Sequence, residues 1–190
     1  MTIHLHANDL PDGLNLGPIV AIDTETMGLD PRRDRLCVVQ LSDGKGDAHL
    51  VQIAKGQNSA PNLERLLTDP AVLKLFHFGR FDVAALQKAF GVRTAPVWCT
   101  KIASKLIRTY TDRHGLKYLL AEYVGVDVSK AQQTSDWGSA TLTEAQWACY
   151  DAQAAFTRSE SVRIPRMSRN ASKGPRINPW IARTRLIRAQ

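Results

Sequence analysis

The first half of the chain alternates short apolar segments with polar turns. Ile3–His6, Ile19–Asp23, Leu36–Leu41, Ala48–Ile53 and Val72–Phe78 are four to seven residues long and rich in Val, Ile and Leu, which predicts strands. Ser42-Asp43-Gly44-Lys45-Gly46 is a glycine-containing hairpin loop. The period then changes. Asn62–Leu67, Phe81–Phe90, Thr100–Arg108 and Leu116–Val124 predict helices, the last stopping at Gly125. A fifth helix opens at Leu142-Thr143-Glu144-Ala145-Gln146, capped by Thr143 or Thr141, and runs to about Thr157. Strands followed mostly by helices predict an α/β layered domain with helices packed on a central mixed sheet. From Arg163 onward neither period is sustained, so residues 161–190 are expected to be a flexible tail.

Composition sharpens this picture in three places. A chain of 190 residues with 44% hydrophobic content fits one domain with a full-sized core. The formal charge of +7 is unevenly spread: residues 1–157 hold 16 Lys and Arg against 17 Asp and Glu, whereas residues 158–190 hold nine against one. The basic segment suits any polyanion, because counterion release needs no sequence reading. No apolar run approaches the ~18 residues of a membrane span, and Met1–His6 lacks a basic region followed by an apolar core. A cytoplasmic protein with no membrane partner is expected. Cys37, Cys99 and Cys149 are odd in number and lie in apolar contexts, so they are expected to be buried free thiols.

The chemistry begins where the run Pro18-Ile19-Val20-Ala21-Ile22 ends in Asp23-Thr24-Glu25-Thr26. Residues i and i+2 of a strand share a face, so Asp23 and Glu25 project together from the end of a buried strand. Two such anions repel each other unless a cation or a shared proton offsets them. A donor set of Asp and Glu alone favours Mg²⁺ or Mn²⁺ over zinc. Taken alone, the pair reads more readily as solvated residues where the strand opens into the loop Met27–Pro31. Two further acids change that reading. Asp82 follows an apolar strand and Gly79 at the start of a helix, whose N-terminus favours negative charge. Asp151 lies on the otherwise apolar stretch Trp147–Ala155, where an unpartnered charge is costly to bury.

In order, Asp23-x-Glu25, Phe81-Asp82 and Trp147-x-x-x-Asp151-Ala resemble the three exonuclease motifs of the DEDD superfamily of 3'-to-5' exonucleases. Thr100–Ser104, His114–Leu119 and Lys130–Trp137 are similar to its ribonuclease D branch. The resemblance spans about residues 18–157. It implies a ribonuclease H-like exonuclease domain over residues 1–160, followed by the basic tail, and a two-metal mechanism with Mg²⁺ or Mn²⁺. Two ions about 3.5–4 Å apart would activate a water, grip the scissile phosphate and neutralise the leaving 3'-oxygen. By the same resemblance Asp23 bridges both ions, Glu25 and Asp151 complete one site, and Asp82 holds the second. The expected partner is the 3' end of single-stranded RNA, in tRNA or structured-RNA processing, with DNA as an alternative.

Two departures keep a second reading open. The family's third motif carries a tyrosine where this chain has Trp147, and an indole donates but cannot accept a proton. Counting from Leu142-Thr143 instead lands on Cys149 and Gln153, which lack both the tyrosine and the acid. In that register the protein binds nucleic acid with impaired catalysis. Candidate nucleic-acid contacts are Thr26, Met27 and Gly28 directly after the acids, Phe81 beside Asp82, and Tyr110, Arg113 and His114 in a loop of mixed aromatic and cationic character. Lys101, Lys105 and Arg108 recur at helical spacing and could line a nucleic-acid path, although such a charge stripe is more often a solvated face. His77 reads as a core or edge histidine.

Overall fold

The computed structural model describes residues 2–30, 32–127 and 136–139, together with Thr143 and Gln146. Its strands are β1 (Thr2–Ala7), β2 (Ile19–Thr26), β3 (Leu36–Ser42), β4 (Asp47–Gln52), β5 (Leu73–Phe76) and β6 (Val97–Cys99). Its helices are α1 (Pro61–Thr68), α2 (Arg80–Phe90), α3 (Thr100–Ile107) and α4 (Leu116–Tyr123). The sheet order is β1-β4-β3-β2-β5-β6. Pairing is antiparallel for β3 with β2 and β4, and parallel for β1 with β4, β2 with β5, and β5 with β6. The sheet is therefore mixed and helix-flanked, as expected.

Two strand expectations need correction. Val72–Phe78 is too long by three residues, since β5 spans only Leu73–Phe76 and the chain turns at His77–Gly79 into α2. The three-residue β6 was not anticipated, because an edge strand that short carries no measurable alternation.

The sheet separates two apolar layers. Val20 and Ile22 of β2 join Val39, Leu41, Leu63, Leu67, Phe76, Leu86 and Phe90 in the main core under α1 and α2. The opposite layer holds Cys37, Val38, Leu50 and Trp137, with Ile3 against it. All seven residues of β3 are buried, as its near-continuous apolar run implies for a strand covered on both faces. Cys37 is the buried free thiol expected; Cys99 is free but only half-buried on the edge strand, and Cys149 lies outside the described residues.

Long-range polar contacts lock the layers together. Asp9 caps α1 from a distant loop, accepting from the amides of Asn62 and Leu63 at 2.9 Å each. Lys74 of β5 is fully buried, and its Nζ donates to the carbonyls of Asp69, Val72 and Ala95 at 2.6, 2.9 and 2.7 Å. Desolvation pushes this ammonium down to about 8. Replacing it by Met would remove the ammonium donor from the Val72 and Ala95 carbonyls and leave Asp69 O with only the Val72 amide at 3.3 Å among the described residues, so Lys74→Met is expected to destabilise the fold by about 2–4 kcal/mol. Denaturant titration checks this; a midpoint within error of the parent would contradict it.

Thr143 and Gln146 pair reciprocally. Gln146 Oε1 accepts from the Thr143 amide at 2.7 Å, and Thr143 Oγ1 accepts from the Gln146 amide at 3.3 Å. That is the capping-box arrangement expected of Thr143 as a cap, and Thr141 lies outside the described residues. The remainder of the expected fifth helix, with Trp147, Cys149, Asp151 and Gln153, lies outside the described residues, as do Lys130, Gln132, Gln133 and residues 161–190.

Candidate active site

β2 continues past the expected Asp23 to Thr26, so both acids of the pair sit inside the strand. Val20, Ile22 and Thr24 are buried toward one side, while Ala21, Asp23 and Glu25 alternate to the other. A register shift against β3 falls between Glu25 and Thr26. Such a bulge ends regular pairing and re-aims the side chains beside it.

Asp82 reaches this strand from α2, in whose first turn it lies. Its Oδ1 accepts two hydrogen bonds from Thr24, from the backbone amide at 3.1 Å and from Oγ1 at 2.7 Å. The residue between the two acids of β2 therefore fixes the third. Burial pushes the Asp82 carboxyl up and the Thr24 bonds pull it back, leaving it at about 6. Glu25 is pushed further, to about 8, first by desolvation and then by the negative charges of Asp23 and Asp82. This is electrostatic frustration: the fold gathers carboxylates that resist ionising together.

A hard divalent cation fits that donor set. It would relieve the repulsion, and oxygen is the only donor type these three side chains offer. Among the described residues no group of three or more His, Cys, Asp or Glu is placed to hold a metal ion by itself. The remaining candidate acid, Asp151, lies outside the described residues.

The turn after β2 is tightly built. Thr26 Oγ1 donates to the Gly28 carbonyl, and the Met27 amide donates to Arg35 O at 3.0 Å. Gly28 has no room for a side chain, since a Cβ there would lie 2.3 Å from Asp34 Oδ2. The Thr26 hydroxyl and Gly28 accordingly have structural work in the turn, while Met27 stays exposed at 52%. Leu29, 86% exposed, is an apolar residue beside the acids that sequence reasoning passed over.

Residues 136–139 approach from the layer that Asp23 and Glu25 face. Trp137 is buried there, Arg35 donates to Gly138 O at 3.3 Å, and Gln52 donates to Ser139 O at 2.9 Å. A Cβ on Gly138 would meet Met27 Sδ at 2.3 Å. Residues 136–139 are therefore packed on the turn that follows the acids.

The remaining candidates divide. Phe81 is half-buried at the start of α2. Tyr110 is exposed and donates to Glu122 Oε1 at 3.1 Å; Arg113 is exposed with its guanidinium 5.5 Å from the Tyr118 ring; His114 Nδ1 is 3.0 Å from Ser104 Oγ. Arg108 corrects the solvated-face reading of the Lys101, Lys105, Arg108 stripe. It is buried, pairs with Glu122, and donates to Arg113 O at 2.6 Å, so it anchors the loop. His77 bridges Thr100 Oγ1, 2.9 Å from its Nδ1, and the His114 backbone. Desolvation and the charge of Lys101 lower it to about 4, so it is a neutral strut, as its edge position suggested.

Comparison with known proteins identifies the family. A family model described as 3'-5' exonuclease matches residues 6–156. Ribonuclease D of Acidiphilium cryptum is 34% identical over 149 residues, covering 78% of this chain and 38% of that protein. The chain thus spans between about a third and two fifths of the length of the ribonuclease D relatives it matches. Among solved structures, Brucella melitensis NrnC with bound Mg²⁺ is 53% identical with a TM-score of 0.77, covering 83% of this chain and 77% of that one. Brucella melitensis NrnC bound to pGG is 54% identical with a TM-score of 0.78, covering 83% and 76%. With a ribonuclease H-like mixed sheet flanked by helices, and a family match across most of its length, the chain belongs to the 3'-5' exonuclease family, in its ribonuclease D-like branch.

Proposed function

We propose that this protein is a metal-dependent 3'-5' exonuclease that removes nucleoside 5'-monophosphates from the 3' end of RNA in the cytoplasm. The observation that carries this reading is the crowding of Asp23, Glu25 and Asp82, with Glu25 held at about 8 by burial and its neighbours. A fold tolerates such crowding where a cation and a phosphate are to be received. The pGG held by Brucella melitensis NrnC supports short oligoribonucleotides as the preferred class of substrate.

Asp23, Glu25, Asp82 and Asp151 would hold two divalent cations, Mg²⁺ or Mn²⁺. When bound, these supply an activated water and neutralise charge on the phosphate and the leaving 3'-oxygen. The chain's own residues do the rest. Thr24 holds Asp82 at a fixed distance from β2 through two hydrogen bonds. Trp147 stands where a water-positioning tyrosine is usual and contributes stacking or a donated hydrogen bond instead. Met27 with Phe81, and Tyr110, Arg113 and His114 from the Arg108-anchored loop, line the path of the strand. Residues 161–190 act as a basic tail that raises affinity for RNA without reading sequence.

The test is a denaturing-gel time course of 5'-labelled single-stranded RNA, a dinucleotide and the matching DNA, in Mg²⁺, in Mn²⁺ and in EDTA. The reading requires a ladder that shortens from the 3' end only when metal is present. Salt-sensitive binding without any shortening would replace it with a nucleic-acid-binding protein on an inactive nuclease domain.

A further inference from the structure

We propose that Phe78 and Lys101 form a subsite for single-stranded nucleic acid, the Phe78 ring stacking on a nucleobase and Lys101 holding an adjoining phosphate. This inference rests on the nuclease reading above, and nothing in the sequence pattern pointed to Phe78.

The first observation is backbone strain without a packing reward. Phe78 has φ +68, and among the described residues only Asn8 shares a positive φ without being glycine. Asn tolerates this region through local hydrogen bonding, whereas a bulky aromatic costs about 1–2 kcal/mol there. Burial normally offsets such a cost, yet Phe78 is 53% exposed and belongs to neither apolar layer. Its neighbour Phe76, at 1% exposure, does the packing. A glycine would relieve the turn at no loss of core, so the aromatic ring serves something outside the fold.

The second observation is what the ring already attracts. Lys101 Nζ lies 3.9 Å from its centroid, a cation over an aromatic face. An exposed ring paired with an ammonium is the combination that single-stranded nucleic acid uses, base on ring and phosphate on cation.

The third is position. β2, β5 and β6 run parallel, and ligands of such sheets gather beyond the carboxyl ends of the strands. Asp23 and Glu25 lie in the last four residues of β2, Phe78 lies two residues beyond β5, and Lys101 lies two residues beyond β6. Asp82 follows Phe78 by four residues. Lys101 therefore places a positive charge at the same end of the sheet as three carboxylates that would otherwise repel an approaching phosphodiester. Its charge is already felt at His77.

The experiment uses the full chain, with Phe78→Gly, Phe78→Trp and Lys101→Gln, on a short 5'-labelled RNA in Mg²⁺. Phe78→Gly is expected to hold or raise the melting temperature while raising KM about tenfold, with kcat changed by no more than about threefold. Phe78→Trp keeps KM within about twofold of the parent, since the indole stacks as well. Lys101→Gln raises KM and lowers the salt dependence of binding by about one phosphate contact. An abasic residue at the stacked position costs the parent enzyme what Phe78→Gly costs, and the two losses combined do not add. Unchanged KM in Phe78→Gly, with the parent active, overturns the subsite and leaves the nuclease reading standing. A parent enzyme that neither cleaves nor binds RNA overturns both. A fall in kcat and melting temperature together in Phe78→Gly would make Phe78 a structural residue and end the proposal.

Discussion

Asp23→Asn is expected to lower turnover on a 5'-labelled RNA by at least about 10³-fold while leaving RNA affinity within about threefold of the parent. The substitution keeps the shape of the side chain and removes the charge that shares a face of β2 with Glu25. On the function proposed above, nucleic-acid affinity comes from cations and rings elsewhere, so binding should survive where catalysis does not. Losing Asp23's charge also removes one of the two neighbours that raise Glu25. The variant should for that reason melt no lower than the parent without metal. Gel-based rates and fluorescence anisotropy on one protein preparation separate these effects. Turnover within about tenfold of the parent would remove Asp23 from the site.

Glu25→Gln is expected to make the metal-free protein more stable at pH 8 and nearly inactive. A carboxyl held at about 8 in the folded state binds protons that the unfolded chain has released. Folding stability is therefore greatest below the ordinary carboxylate range and is lost as pH rises from about 4.5 through 8. The amide escapes that loss. At one pKa unit to about 1.4 kcal/mol, and allowing for solvent relaxation, the gain should be about 2–4 kcal/mol at pH 8, or about 5–10 °C in Tm, and close to nothing at pH 5. Mg²⁺ should act in the opposite sense on the parent. It stabilises the ionised cluster, so its effect on Tm grows with pH, and its uptake below pH 8 releases protons. Scanning calorimetry of both proteins at pH 5 and pH 8, with Mg²⁺ and with EDTA, reads all of this. A Glu25→Gln protein less stable than the parent at pH 8 would contradict the frustration argument.

Legibility in the sequence followed interaction range. The acid pair was readable because a period of two is a local property, and Asp82 because the first turn of a helix has a local signature. The cap at Thr143 was readable as a four-residue pattern. What escaped depends on distant partners. Thr24 looks like a spacer between acids until Asp82 meets it from 58 residues away. Lys74, a charge in an apolar strand, shows its three carbonyls only once the chain around Ala95 folds back. Arg108 shares the helical spacing of two lysines, yet Glu122 draws it inward. Phe78 was assigned to a strand because composition says nothing about a positive φ on an aromatic residue. Trp147 and Asp151, which decide between the two registers of the third motif, lie outside the described residues.

The bond between Thr24 and Asp82 also has a consequence for when the protein becomes active. β2 and β5 pair in parallel across more than 50 positions of chain, and parallel pairing of distant segments is among the slower events of folding, because loop closure precedes any reward. Until that pairing is complete, Asp82 has no strand to bind and the carboxylates are dispersed. A chain in which β2 and β5 are not yet paired therefore holds Asp82 apart from Asp23 and Glu25, and the activity proposed for these acids waits on that pairing.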